Sequence, residues 1–132
     1  MLIGVVLCDA TRLPLRAGVV DRTVGDLPFG KCCGSRSESG QFHPLFFAEC
    51  ARVLRRVAGT KNQNSLGSTA SRAVVMSADR GSLKRGAESM KCLLGQNHAN
   101  CEPGFGLQVR AEHHVNMGGL NAAALVLGHP EI

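Results

Sequence analysis

Two short apolar runs, each closed by an aspartate, constrain this chain more than any other feature. Residues 2–8 read LIGVVLC and meet Asp9, and residues 18–25 read GVVDRTVG and meet Asp26. Runs of this kind suit strands buried on both faces of a parallel sheet. The connector ATRLPLRAGVVD carries Pro14, which argues against a long regular helix between them. Ligands of open parallel sheets bind beyond the carboxyl ends of the strands, so two strand-end acids on one side of a sheet define one crevice.

The rest of the chain supplies the other layers. Residues 44–58, PLFFAECARVLRRVA, predict a helix with Pro44 at its first position and Gly59 as its C-terminal cap. Phe46, Cys50, Val53, Leu54 and Val57 form its apolar stripe, and Glu49, Arg52, Arg55 and Arg56 fall mostly outside it, on a solvated face. Residues 59–71, GTKNQNSLGSTAS, are turn-forming and polar, a flexible surface loop. Residues 73–78, AVVMSA, predict a strand ending at Asp79. Ser82 then caps a helix reaching Leu94, with a stripe of Leu83, Ala87, Met90 and Leu94 weakened by Gly86. After the loop GQNHANCEPG, residues 107–115 alternate, with Leu107, Val109, Ala111, His113 and Val115 on one side. His113 is therefore expected as a bonded core histidine. NMGG makes a turn into a final strand, LNAAALVLG. Strands alternating with helices predict an α/β layered fold.

Composition narrows the function classes. At 132 residues, one domain is expected, and 44% hydrophobic content excludes a compositionally disordered chain. With no Trp or Tyr, the core must be largely aliphatic. The formal charge of +5 is compatible with a polyanionic partner such as nucleic acid. The N-terminal apolar run is seven residues long with no basic residue before it, too short for a membrane span and a poor signal peptide. The six cysteines show no C-x-x-C pair, so reduced thiols and a cytoplasmic location are expected. Cys92, His98 and Cys101 fit no common zinc spacing, and no metal site is expected.

The stretch Asp26-Leu27-Pro28-Phe29-Gly30-Lys31 admits two readings. One is a strand that stops in a turn, because proline fixes φ and glycine frees it. The other is a site that holds a planar amine, with the protons bonded and the ring stacked. Four stretches in one order decide between them. CDATRLPLRAGVVDRTVGDLPFGKCCGS, FHPLFFAECARVLR, SRAVVMSAD and HVNMGGLNAAALVL together resemble the C-terminal part of the methyltransferase domain in THUMP-domain-containing tRNA guanine-N2-methyltransferases.

The resemblance implies a partial Rossmann-like class I methyltransferase sheet, strands 3 to 7 with flanking helices, over residues 1–132. It implies S-adenosyl-L-methionine as cofactor, with Asp9 bonding the adenine amine beside the Ala10 backbone; the lesser reading of Asp9 is a strand-end turn acid. It implies that the Asp26 carboxylate and the Leu27 carbonyl accept the N–H groups of guanine, that Pro28 orients that carbonyl, and that Phe29 stacks on the base. Gly30 permits close approach and Lys31 meets a phosphate. Implied partners are tRNA and a small zinc-binding methyltransferase activator subunit, with no membrane. The sequence departs from the family where a glycine-rich loop and a ribose-binding acid, both on the first two strands, are expected and not found; Cys32 and Cys33 also replace a basic and apolar pair. In the family's strand order, 3-2-1-4-5-7-6, residues 2–8 therefore lack their sheet neighbour, so either the chain is a fragment or truncated product, or this strand docks directly on the strand ending at Asp26. Two function classes follow: the catalytic segment of a larger enzyme, or a truncated, non-catalytic product that acts as a binding module or has no function.

Overall fold

A computed structural model describes residues 3–27, 36–56, 71–96 and 106–129. The elements run β1 (Arg22–Asp26), α1 (Arg36–Val53), β2 (Arg72–Ser77), α2 (Arg80–Gln96), β3 (Gln108–Met117) and β4 (Leu120–Gly128). The sheet order is β1-β2-β4-β3. β1 and β2 are parallel, with Val24 opposite Val74 and Asp26 opposite Met76. β4 runs antiparallel to both β2 and β3, so the last two strands form a hairpin. The mixed α/β architecture agrees with the expected class.

Both helices lie on one face of the sheet. The core joins Phe47, Cys50 and Ala51 of α1, Leu54 just beyond its end, and Leu83 and Ala87 of α2 to Leu27, Ala73, Val75, Leu107, Leu125 and Leu127. The alternation in β2 is clean, with Ala73, Val75 and Ser77 buried and the residues between them half-exposed. On the opposite face Val24 is 85% exposed, and Val74, Met76, Ala124 and Val126 are half-buried.

Several elements differ from their sequence expectation for identifiable reasons. The first apolar run forms no strand: residues 3–9 carry no regular structure, and Ile3, Val5, Val6 and Leu7 are exposed. A strand is made by its partner's backbone as well as its own side chains, and no described strand pairs with this run. β1 starts at Arg22 and not at Gly18. Gly18 takes a φ of 68°, and residues 18–20 instead follow the end of α1, with Gly18 N donating to Arg52 O and Val20 N to Val53 O. α1 starts at Arg36, so Pro44 lies inside the helix. The lost N–H at Pro44 costs the bond to the Gly40 carbonyl, while stacked Phe42 and Phe46, with ring centroids 5.6 Å apart, hold the two sides of the interruption together. Val57, Gly59 and most of the loop expected over 59–71 lie outside the described residues.

The cap of α2 is Asp79 and not Ser82: Asp79 Oδ1 accepts the Ser82 N–H at 3.0 Å, and Ser82 is buried. In β3 the register shifts between Val109 and Ala111. That bulge reverses the expected faces beyond it. Glu112 and His114 stand opposite Leu125 and Ala123 on the helix side, and His113 is exposed. The core histidine is His43, fully buried in α1. The closing turn is as expected: Gly118 and Gly119 have φ of 57° and 88°, the left-handed pair a two-residue hairpin needs. Asn116 Oδ1 accepts the Gly119 N–H.

Candidate active site

Because β1 and β2 are parallel, their carboxyl ends share one edge of the sheet. Asp26 is the last residue of β1 and its side chain is exposed. Its carboxylate makes no hydrogen bond or ion pair among the described residues. Leu27, next in the chain, is buried and donates its N–H to Met76 O at 2.9 Å. The backbone is thus held at the point where the strand gives way to Pro28, while the adjoining carboxylate remains available as an acceptor. Pro28, Phe29, Gly30 and Lys31 lie outside the described residues.

Asp9 is exposed and locally bonded. Its Oδ1 accepts both the backbone N–H of Thr11 at 2.8 Å and the Thr11 hydroxyl at 2.7 Å. Arg12 N donates to the Asp9 carbonyl and closes the turn. The Thr11 backbone bond, foremost, holds the Asp9 carboxyl below its ordinary value, so it is ionised at neutral pH. Ala10 is half-buried in the same turn. Both Thr11 bonds fall on Oδ1, so Oδ2 remains as an acceptor suited to an amine. No bond joins Asp9 to Asp26 among the described residues.

What fixes this turn relative to the sheet is a group that the sequence reading assigned to solvent. Arg52 on α1 bonds Glu49 through two nitrogens, Nε to Oε2 at 2.8 Å and Nη2 to Oε1 at 2.6 Å. The same guanidinium donates to the carbonyls of Leu13 and Leu15, and Glu49 accepts the Leu13 N–H. The connector that follows Asp9 is therefore tied to α1. A pair three residues apart on a helix is readable from sequence; its backbone partners 36 or more residues away are not.

A second polar group also escaped the sequence reading. Arg80 Nη2 reaches Glu112 at 3.1 Å and His114 Nε2 at 3.2 Å, and Lys84 Nζ reaches Glu112 at 2.8 Å. The Lys84 and Arg80 bonds hold the Glu112 carboxyl below its ordinary value. His114 stands opposite Ala123, which stands opposite Ser77, so the group borders the same carboxyl edge. Arg80 and Lys84 share a helix face by spacing, but only the β3 bulge turns Glu112 toward them. Cys50 is no nucleophile: burial pushes its thiol up to about 12. Among the described residues no set of three potential metal ligands converges. Cys101 and His98 lie outside those residues.

A parallel pair with Asp26 at its carboxyl edge, two helices and a closing β-hairpin agrees with part of a methyltransferase domain. Residues 1–93 match the RMKL-like methyltransferase domain (UPF0020), and the chain belongs to that family. Within it, the chain is 34% identical over 121 residues to the tRNA (guanine(6)-N(2))-methyltransferase THUMP3 of Bos taurus, covering 90% of this chain and 19% of the relative. It is 33% identical over 125 residues to the Homo sapiens protein of the same name, covering 95% of this chain and 20% of the relative. The fold is similar to that of the crystal structure of TrmN from Thermus thermophilus, with a TM-score of 0.61 at 18% identity over 95% of this chain and 28% of that one. The chain thus spans one-fifth or less of the curated relatives it matches.

Proposed function

We propose that this chain is the catalytic segment of an S-adenosylmethionine-dependent tRNA guanine-N2 methyltransferase. The observation that carries the reading is the exposed Asp26 carboxylate, without a bonding partner among the described residues, at the carboxyl edge of a parallel pair and at the head of DLPFGK. The guanine exocyclic amine is a poor nucleophile because its lone pair is delocalised into the ring. Asp26 accepts one of its N–H groups and the Leu27 carbonyl another, which aims the lone pair and stabilises the positive charge that develops on nitrogen. Pro28 sets the direction of that carbonyl, Phe29 stacks on the extruded base, Gly30 allows close approach and Lys31 meets a phosphate. S-adenosylmethionine, when bound, supplies an electrophilic methyl group; in this chain Asp9 Oδ2 and the Ala10 backbone are the groups that hold its adenine. Catalysis rests on positioning and electrostatics. tRNA and a small zinc-binding activator subunit are the partners of this reading.

The test replaces the matching segment of the bovine relative with this chain. The chimera is expected to methylate tRNA. Its Asp26→Asn variant is expected to lose about a hundredfold in rate, on the order of 3 kcal/mol for one removed electrostatic contact, with cofactor affinity nearly unchanged. Wild-type turnover by the variant excludes the assigned role. The exposure of Ile3, Val5, Val6 and Leu7 favours a second reading, a non-catalytic binding module, and an inactive chimera that still folds supports it.

A further inference from the structure

The residues that follow Asp9 are held by one pair of side chains on α1. Arg12 N donates to the Asp9 carbonyl at 3.0 Å and closes the turn. Leu13, the next residue, has both of its backbone groups taken by that pair. Its N–H donates to Glu49 Oε1 at 2.7 Å, and its carbonyl accepts from Arg52 Nη2 at 3.1 Å. Arg52 Nη1 reaches the Leu15 carbonyl at 2.9 Å. Arg52 Nε and Nη2 grip the two oxygens of Glu49 at 2.8 and 2.6 Å. Both carboxylate oxygens and every guanidinium nitrogen are therefore engaged, and the Glu49 side chain is 11% exposed. An open surface pair would contribute little. This one is a bidentate fork, which fixes direction as well as charge. The same helix also packs under the strand that carries Asp26: a Cβ at Gly25 would fall 3.6 Å from the Phe46 ring. Helix α1 thus relates the turn of Asp9 to the strand end at Asp26.

We propose that Glu49 and Arg52 are positioning residues for the adenine of the cofactor: they hold the Asp9–Thr11 turn so that Asp9 Oδ2 meets the adenine amine, and they act through the turn and not on the cofactor. The inference rests on the proposed reading of Asp9 as the adenine acceptor and names what sets that acceptor's place. The Thr11 bonds shape the turn, but local bonds do not orient a turn against the rest of the fold. Leu13 is where it is fastened to the helix layer. The electrostatics agree. After the Thr11 bonds on Asp9 and the Arg52 bond on Glu49, the Arg12 charge lowers both carboxyls further, so Arg12 lies within electrostatic reach of both acids. The tie acts from the downstream side of Asp9, whatever strand pairs with the residues before it.

Calorimetric titration of the chimera with the bovine relative tests this, with two ligands: S-adenosylmethionine, and its analogue whose adenine lacks the amino group. In the unsubstituted chimera the analogue is expected to bind about tenfold more weakly, the effect of one hydrogen bond to a charged acceptor. Asp9→Ala is expected to remove that discrimination. Arg52→Lys keeps the charge, but one ammonium cannot span Glu49 and two carbonyls as a planar fork does. It is expected to weaken S-adenosylmethionine about tenfold and leave the analogue unchanged, so that discrimination vanishes; the comparison of ligand and residue isolates the coupling from any general loss of stability. Glu49→Gln, a milder change, is expected to leave about threefold discrimination. Glu49→Arg combined with Arg52→Glu rebuilds the ion pair but sets a donor against the Leu13 N–H and an acceptor against the carbonyls, and is expected to restore nothing. Arg52→Lys and Glu49→Gln chimeras that keep the tenfold discrimination, variants that weaken both ligands equally, or a reversed pair that regains it overturn the inference. In each of those cases the loss of discrimination in Asp9→Ala still upholds the reading of Asp9. An unsubstituted chimera that does not discriminate overturns both.

Discussion

Glu49 shows how one residue can connect distant parts of this chain. Its carboxylate sits between Arg52 and the Leu13 N–H, largely removed from solvent. The Arg52 hydrogen bond, foremost, holds its carboxyl below the ordinary value, against burial that acts the other way. A depressed folded-state value means stability that is fully present above the unfolded value of 4.5 and is lost as pH falls through the lower folded value. Glu49→Gln is expected to cost about 1.5–3 kcal/mol at neutral pH, the range for hydrogen bonds to charged groups. The deficit should shrink as pH falls below the usual carboxylate range. Urea midpoints of the two proteins across that range check it, and parallel pH profiles would refute the role. Legibility at this scale divides cleanly. The place of Asp26 at the carboxyl end of a strand was readable from sequence, because an apolar run that stops at an acid before Pro28 marks that end without any knowledge of partners. Arg52 was read as solvated, because its backbone acceptors, Leu13 and Leu15, are far away in sequence. His43 went unremarked beside Phe42, Phe46 and Phe47, while His113 was expected inside; a single bulge exposes it.

At the scale of elements, hydrophobic period located each described helix and strand and misplaced the ends of all but one. The expected final strand, LNAAALVLG, is β4 to the residue, because a paired glycine turn fixes where it starts. α1 begins eight residues before Pro44, in a Ser- and Gly-containing stretch of poor intrinsic propensity; burial of Phe47 and His43 and stacking of Phe42 on Phe46 outweigh that preference. Gly86 reverses its sequence meaning. On propensity alone, Gly86→Ala in α2 should stabilise by about 1 kcal/mol. In the fold, a Cβ at Gly86 falls 2.5 Å from His43 Cβ and 3.3 Å from the His43 carbonyl carbon. This glycine sets how closely α1 and α2 approach. Gly86→Ala is therefore expected to destabilise, by roughly 1–3 kcal/mol as an overpacked core does. Denaturant unfolding decides between the opposite signs, and a stabilised alanine variant would show that the helices separate freely.

At the scale of the whole molecule, the parallel pair and the closing hairpin were legible because their signals are local: an apolar run ending in an acid, and two glycines between alternating strands. The fate of residues 3–8 was not legible, because a strand's pairing depends on chain elsewhere. Those residues carry the side chains of a buried strand and remain exposed, so Asp9 is held by the Arg52–Glu49 tie and its own Thr11 turn and not by a sheet ladder. This bears on cofactor binding by the 132-residue chain alone. Asp9 offers one hydrogen bond to an adenine amine, a net contribution of about 0.5–1.5 kcal/mol. A micromolar ligand needs about 8 kcal/mol. The family resemblance assigns the remaining contacts to a glycine-rich loop and a ribose-binding acid, and neither is found in the sequence. Calorimetric titration of the purified chain with S-adenosylmethionine is therefore expected to give no saturable heat at micromolar to submillimolar ligand, while the chimera with the bovine relative binds. Saturable micromolar binding by the chain alone would mean that residues 3–9 order on the ligand and complete a site the four-stranded sheet does not itself hold; a substitution of Asp9 to Ala that abolished such binding would locate it.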